Sequence, residues 1–136
     1  MSPWMSQSLA VFIGSGIGGT ARFGVGRLVT TLAPTAWGPL WPKLLGTWSV
    51  NAIGSLVLTW LVARQMGQAT IPSHLQLALS TGMMGGFTTY STFNAEALQL
   101  WQLGRTKEAL LYAAATVLCC ALFGWIGWWL GSAAPR

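Results

Sequence analysis

The polar chemistry of this chain is concentrated in fifteen consecutive positions, Ser80 to Asn94, which hold seven hydroxyl side chains and three glycines. Glycine and the short hydroxyl residues are poor material for an uninterrupted helix, the first for entropy, the second because their side chains compete for backbone groups. Yet the segment sits inside an apolar run from Leu75 to about Trp101. A helix is therefore expected to break there near mid-membrane, and broken backbone at that depth is tolerated only where protein buries it or where it lines a cavity. Such a break presents carbonyl oxygens and amide groups to an ion. Tyr90 and Phe93 follow it three residues apart. Their ring edges carry positive partial charge that attracts an anion, although the same spacing serves ordinary packing.

Other polar side chains occupy positions that lipid would penalise. Thr47, Asn51, Ser55 and Thr59 recur every four residues and share one helix face. They form either a hydrogen-bonding seam between helices or a polar track along a narrow path. Thr116, Cys120 and Gly124 make a weaker stripe of the same kind, equally suited to packing. Arg22 costs about 2.5 to 3.5 kcal/mol to insert if it lies near the midplane. It must snorkel to an interface, cap carbonyls, pair with Glu96, or raise the local potential for an anion. Glu96 is in turn a partner for Arg22 or for freed backbone groups, or a direct ion contact.

These residues need apolar elements to carry them. Of 136 residues 53% are hydrophobic and only 7% are charged, too little polar surface to cover a water-soluble globule. A single four-helix transmembrane domain is expected over residues 1–136, because each crossing takes about 20 residues. The spans are Ser8 to Leu32, Leu44 to Ala63, Leu75 to Trp101 and Ala109 to Gly131, with both termini on one side. Gly14 and Gly18 are spaced GxxxG, which lets another helix approach closely. Trp37 and Trp41 stand at interface depth in the Pro34 to Pro42 link, and a polar connection with Gln65, Gln68, Pro72 and His74 joins the second and third spans. Arg64 and Arg136 fall on the side of the termini, and Arg27, Lys43, Arg105 and Lys107 on the other. So small a bias orients the protein weakly and permits insertion both ways round.

Several classes are disfavoured. The basic residues behind the net charge of +5 are scattered, which argues against a nucleic-acid partner. Cys119 and Cys120 are neighbours in an apolar run, without disulfide or metal-ligand spacing. No Lys or Arg precedes the first apolar stretch, so a removable signal peptide is not expected. The single histidine, His74, has no evident carboxylate or metal partner, which argues against an enzyme. The main alternative to a channel is a small dual-topology multidrug or metabolite exporter coupled to protons. That machine wants a carboxylate in its early spans, and the first two have none. A membrane scaffold would leave the clustered hydroxyls unexplained.

The run Gly82-Met83-Met84-Gly85-Gly86-Phe87-Thr88-Thr89-Tyr90-Ser91-Thr92-Phe93 closely resembles the signature of the Fluc (CrcB-type) family of fluoride channels. Gly18-Gly19-Thr20-Ala21-Arg22-Phe23 and Gly46-Thr47-Trp48-Ser49-Val50-Asn51-Ala52-Ile53-Gly54 support the resemblance. It implies an all-α membrane protein of four transmembrane helices, broken in the third, forming an antiparallel homodimer in the plasma (inner) membrane. It implies two fluoride pores, through which cytoplasmic fluoride leaves passively, and a structural sodium ion at the dimer centre held by the carbonyls of Gly85 and Thr88. The pore phenylalanines map to Tyr90 and Phe93, the pore asparagine to Asn51, the fourth-span track to Thr116 and Cys120, and the buried arginine to Arg22. Thr89 and Ser91 fall within the same pore segment, and Glu96 stands with Arg22 as a structural or electrostatic residue. Two positions depart from the family pattern: the first phenylalanine is Tyr90, and a usual serine is Cys120.

Overall fold

The computed structural model describes residues 2–34, 38–67 and 72–133. Trp37, Gln68 and Arg136 lie outside the described residues. Every regular element among the described residues is helical: α1 (Pro3–Leu32), α2 (Trp41–Gly67), α3 (Ser73–Leu77), a π-helical stretch Ala78–Met84, α4 (Gly85–Phe87), α5 (Tyr90–Gln102) and α6 (Thr106–Ala133). Three of these, α1, α2 and α6, are long and apolar enough to cross a bilayer. The third apolar region is a bent succession of shorter pieces, as its glycines and hydroxyls lead one to expect.

Local signals explain the helix ends. Ser2 Oγ accepts the Met5 N–H at 3.4 Å, with Pro3 at the first helical position, so α1 begins a turn and a half before its apolar run. Between α5 and α6, Gly104 adopts φ +73°. Its N–H donates to the Trp101 carbonyl at 2.9 Å, and the Arg105 N–H reaches back to Leu100 at 3.0 Å. This Schellman turn requires a left-handed residue, which glycine supplies without a Cβ penalty. Arg105 then donates through Nε to Glu108 Oε1 at 2.7 Å, a hydrogen bond that raises the guanidinium above its ordinary pKa.

Cross-contacts fix how the helices run. Leu44 lies level with Tyr112, Thr59 with Gly124, and Ala63 with Gly131, so α2 and α6 are parallel neighbours. Gly14 lies against Gly82, Gly18 against Met83 and Phe87, and Arg22 against Thr88, so α1 runs parallel to the broken region. Gly26 meets Gly46 and, one turn on, Thr30 meets Pro42, which makes α1 and α2 antiparallel. Two apolar clusters flank the break: Val50, Leu61, Met84 and Phe87 on one side of it, and Leu44, Phe93, Leu100, Ala109 and Tyr112 on the other. Large apolar side chains such as Phe12, Phe23, Val117 and Trp125 point outward, as expected of a surface solvated by lipid.

The expected close approach at Gly14 and Gly18 is made, and it is made within the chain. A methyl group at Gly14 would fall 2.1 Å from the Ala78 carbonyl oxygen, and one at Gly18 would fall 2.0 Å from that of Met83. At Gly16 and Gly19 nothing lies within 4 Å. Gly14→Ala and Gly18→Ala should each destabilise the subunit by about 1–3 kcal/mol or more, because backbone rather than a side chain must yield. Gly16→Ala and Gly19→Ala should not. Thermal unfolding of purified protein in detergent checks this, and equal midpoints for the two pairs would contradict the packing.

Candidate functional site

The helix break is two residues long. Thr88 (φ −79°, ψ 158°) and Thr89 (φ −150°, ψ 101°) are extended, with α4 ending before them and α5 beginning after. The backbone groups of Thr89 are met from outside the segment. The buried Asn51 side chain donates through Nδ2 to the Thr89 carbonyl at 3.1 Å and accepts the Thr89 N–H on Oδ1 at 2.8 Å. One side-chain amide thus takes both bonds that a neighbouring strand would make. Thr89 Oγ1 accepts the Thr92 N–H at 3.3 Å and caps α5, while Thr88 donates its hydroxyl to the Met84 carbonyl at 3.0 Å.

Redirecting these donors frees carbonyls. In an unbroken helix the Thr89 N–H would serve the Gly85 carbonyl and the Thr92 N–H would serve Thr88. Here they serve Asn51 and Thr89 Oγ1. The Gly85 oxygen is left without its helical donor, and among the described residues the Thr88 oxygen receives Arg22 Nη1 alone, at 3.4 Å. Of the contacts open to Arg22, the one to a carbonyl is made. Pairing with Glu96 is not made: among the described residues the ion pairs are Lys43 with Glu96 and Arg105 with Glu108.

Beside the break α2, α5 and α6 enclose a groove of about 370 Å³, open on its outer side. Asn51, Ser55, Thr88, Tyr90, Phe93, Thr116 and Cys120 line it, so the two sequence stripes and the aromatic pair converge on one space. Thr89 and Ser91 do not line it: Thr89 is buried as the cap of α5, and Ser91 is exposed with its hydroxyl 3.4 Å from that of Thr89. Tyr90 is 76% exposed and Phe93 only 7%, their rings 5.6 Å apart and tilted by 59°. Several hydroxyl protons are already committed, Ser55 to the Asn51 carbonyl at 2.8 Å and Thr116 to that of Tyr112 at 2.7 Å. Among the described residues the Tyr90 hydroxyl, the Cys120 thiol and the second Asn51 N–H are the groove's uncommitted donors.

At one end of the groove Glu96, 2% exposed, anchors a polar knot. Thr47 donates to its Oε1 at 3.0 Å and Tyr112 to its Oε2 at 2.8 Å, while Lys43 Nζ stands 3.7 Å away with its side chain largely in solvent. Tyr112 also stacks on Phe93, centroids 5.5 Å apart, so it ties the carboxylate to the aromatic pair. Sequence reading missed Tyr112. Its signal was available: it lies one turn before Thr116 and two before Cys120, and so extends that stripe.

Membrane-length helices, a broken third region and a polar groove at the break define a multi-pass membrane protein with the makings of an ion pathway. The chain belongs to the CrcB family: residues 9–128 match the family described as CrcB-like protein, Camphor Resistance (CrcB). It is 40% identical over 116 residues, 85% of this chain and 87% of the relative, to the fluoride-specific ion channel FluC of Anaeromyxobacter dehalogenans. Over 119 residues, 84% of this chain and 86% of the relative, it is 40% identical to the fluoride-specific ion channel FluC of Novosphingobium aromaticivorans. Fluoride-specific ion channel FluC 1 of Geobacillus kaustophilus is 35% identical over 127 residues, 93% of this chain and 99% of the relative.

Asn51→Leu, nearly equal in size, should leave the Thr89 N–H and carbonyl unpaired at a cost of about 1–3 kcal/mol each. Ser55→Ala, which removes a bond made only within α2, should change stability by no more than about 0.5 kcal/mol. Unfolding midpoints of the two variants test whether the break hangs on this amide.

Proposed function

We propose that this chain is the subunit of a fluoride-selective ion channel that lets cytoplasmic fluoride leave the cell passively, reducing its toxicity. It is a transport protein and not an enzyme. The observation that carries the reading is the groove at the helix break, where hydroxyl, thiol and amide donors meet two aromatic side chains. Fluoride is small and holds its water strongly, so it sheds that water only where donors replace it. A hydrogen bond is electrostatically stronger in a low-dielectric groove than in water, which suits hydroxyl and amide donors to that task. Thr116 and Ser55 can each swing a hydroxyl proton from a helix carbonyl toward the ion, because the rotor is free while the carbonyl keeps its backbone partner.

The third apolar region completes the reading as a fourth, broken span, and the groove's open side calls for a cover. A second copy inserted antiparallel would provide it, consistent with the weak charge bias and the outward-facing Tyr90. Among the described residues a methyl group at Gly85 would meet nothing within 4 Å, so that face of the break is open to a second copy. The freed Gly85 and Thr88 carbonyls are hard oxygen donors of the kind that suits sodium. They would hold that ion at the centre of the dimer, where it supplies positive charge between the two copies.

Fluoride and chloride efflux from liposomes under an imposed potential tests the reading, and chloride flux equal to fluoride flux would sink it. In the same assay Tyr90→Phe, which keeps the ring edge, should hold fluoride flux within about threefold of the parent, whereas Phe93→Ile should lose about tenfold or more by removing the ring between Tyr90 and Tyr112. A dead Tyr90→Phe beside an active Phe93→Ile would shift the work to the phenol hydroxyl. For topology, Ser73→Cys in a background without Cys119 and Cys120 should be labelled to about half by an impermeant thiol reagent, since the charge bias is small. Full labelling from one side would rule out antiparallel pairing.

A further inference from the structure

Among the described residues Arg22 is the charged group that touches a freed carbonyl of the break. Its Nη1 donates to the Thr88 oxygen at 3.4 Å, and that oxygen is also one of the two proposed to hold the cation. The guanidinium has no carboxylate within ion-pair distance among the described residues, Glu96 being engaged by Thr47, Tyr112 and Lys43. Its charge therefore acts on the break uncompensated. Two effects follow, and they have the same sign. Donation to the oxygen withdraws density from the lone pairs that a cation would use, and the positive charge itself repels a second cation on the same atom, strongly so in a low dielectric.

We propose that Arg22 sets the affinity of the cation site at the helix break by sharing the Thr88 carbonyl with the ion, holding it weaker than the oxygen set alone would allow. The inference rests on the cation reading given above. Arg22 acts here as a positioning residue: it orients the Thr88 carbonyl and biases its charge. The consequence is specific to charge, since a neutral donor of similar length could orient the same oxygen without repelling the ion.

The test is the sodium dependence of stability, which needs no transport. The unfolding midpoint of the purified protein is followed in detergent as sodium replaces N-methylglucamine at constant ionic strength, because an ion bound only by the folded state raises the midpoint in proportion to its occupancy. In Arg22→Gln the half-saturating sodium concentration should fall about tenfold, while Arg22→Lys, which keeps the charge, should stay within about threefold of the parent. Arg22→Met carries the same comparison where Arg22→Gln does not fold. Unchanged or weaker sodium binding in the neutral variants overturns the proposal, as does a shift in Arg22→Lys equal to that in Arg22→Gln. A parent protein whose midpoint ignores sodium overturns the cation reading itself, and this inference with it.

Discussion

The paired hydrogen bonds between the Asn51 amide and the backbone of Thr89 are the constraint on which the rest of this structure depends. An extended residue inside an apolar region has an N–H and a carbonyl that lipid cannot satisfy, at several kcal/mol for each group. Asn51 meets both from α2, at 2.8 and 3.1 Å. With Thr89 so held, α5 starts at Tyr90 and its first turns place Phe93 and Glu96 against α6. The same substitution strands the Gly85 carbonyl and leaves that of Thr88 to Arg22, so the oxygens at the break exist because the amide donors were taken elsewhere.

Two opposite kinds of packing hold the broken region in place. On the α1 side there is almost no side chain at all: Gly14, Gly18, Gly82 and Gly86 let backbone touch backbone, and a methyl at Gly86 would fall 2.5 Å from the Ser15 carbonyl. Without a hydrophobic drive between helices in lipid, such close contact supplies dispersion over a large area. On the α2 and α6 side a specific polar contact is set among apolar side chains, made by Glu96 with Thr47 of α2 and Tyr112 of α6. Glycine contact leaves sliding cheap, whereas the carboxylate fixes register. The break is clamped by one and positioned by the other.

Much of this was legible in the sequence. The break, the GxxxG contact, the shared face of Thr47, Asn51, Ser55 and Thr59, and the apolar helices all follow from residue type and spacing. The stripe on α2 could not be divided beforehand, because period alone does not say what stands opposite. It proves mixed: Thr47 and Asn51 bond across to α5 and to the break, Thr59 reaches the Gly124 carbonyl at 2.8 Å, and Ser55 faces the groove. The partners of Glu96 were equally hidden, since Tyr112 approaches it only once the turn at Gly104 folds α6 back along α5. Arg22 and Glu96 look complementary in sequence, yet the first lies level with the break and the second two turns beyond it.

In the proposed path a tension between stability and conduction is resolved by the donors' second bonds. A channel for a strongly hydrated anion needs hydroxyls free to turn to the ion, but hydroxyls without partners in an apolar surrounding are costly when the ion is absent. Ser55 and Thr116 avoid the choice by resting on carbonyls four residues back, each of which already serves a helical N–H. Withdrawing the hydroxyl proton then costs the carbonyl only its second bond, and the helix stays intact. The thiol of Cys120 is a weaker donor than the serine it replaces in the family pattern. At that point of the groove the Thr116 hydroxyl, one turn before Cys120, is accordingly the stronger donor in the proposed path.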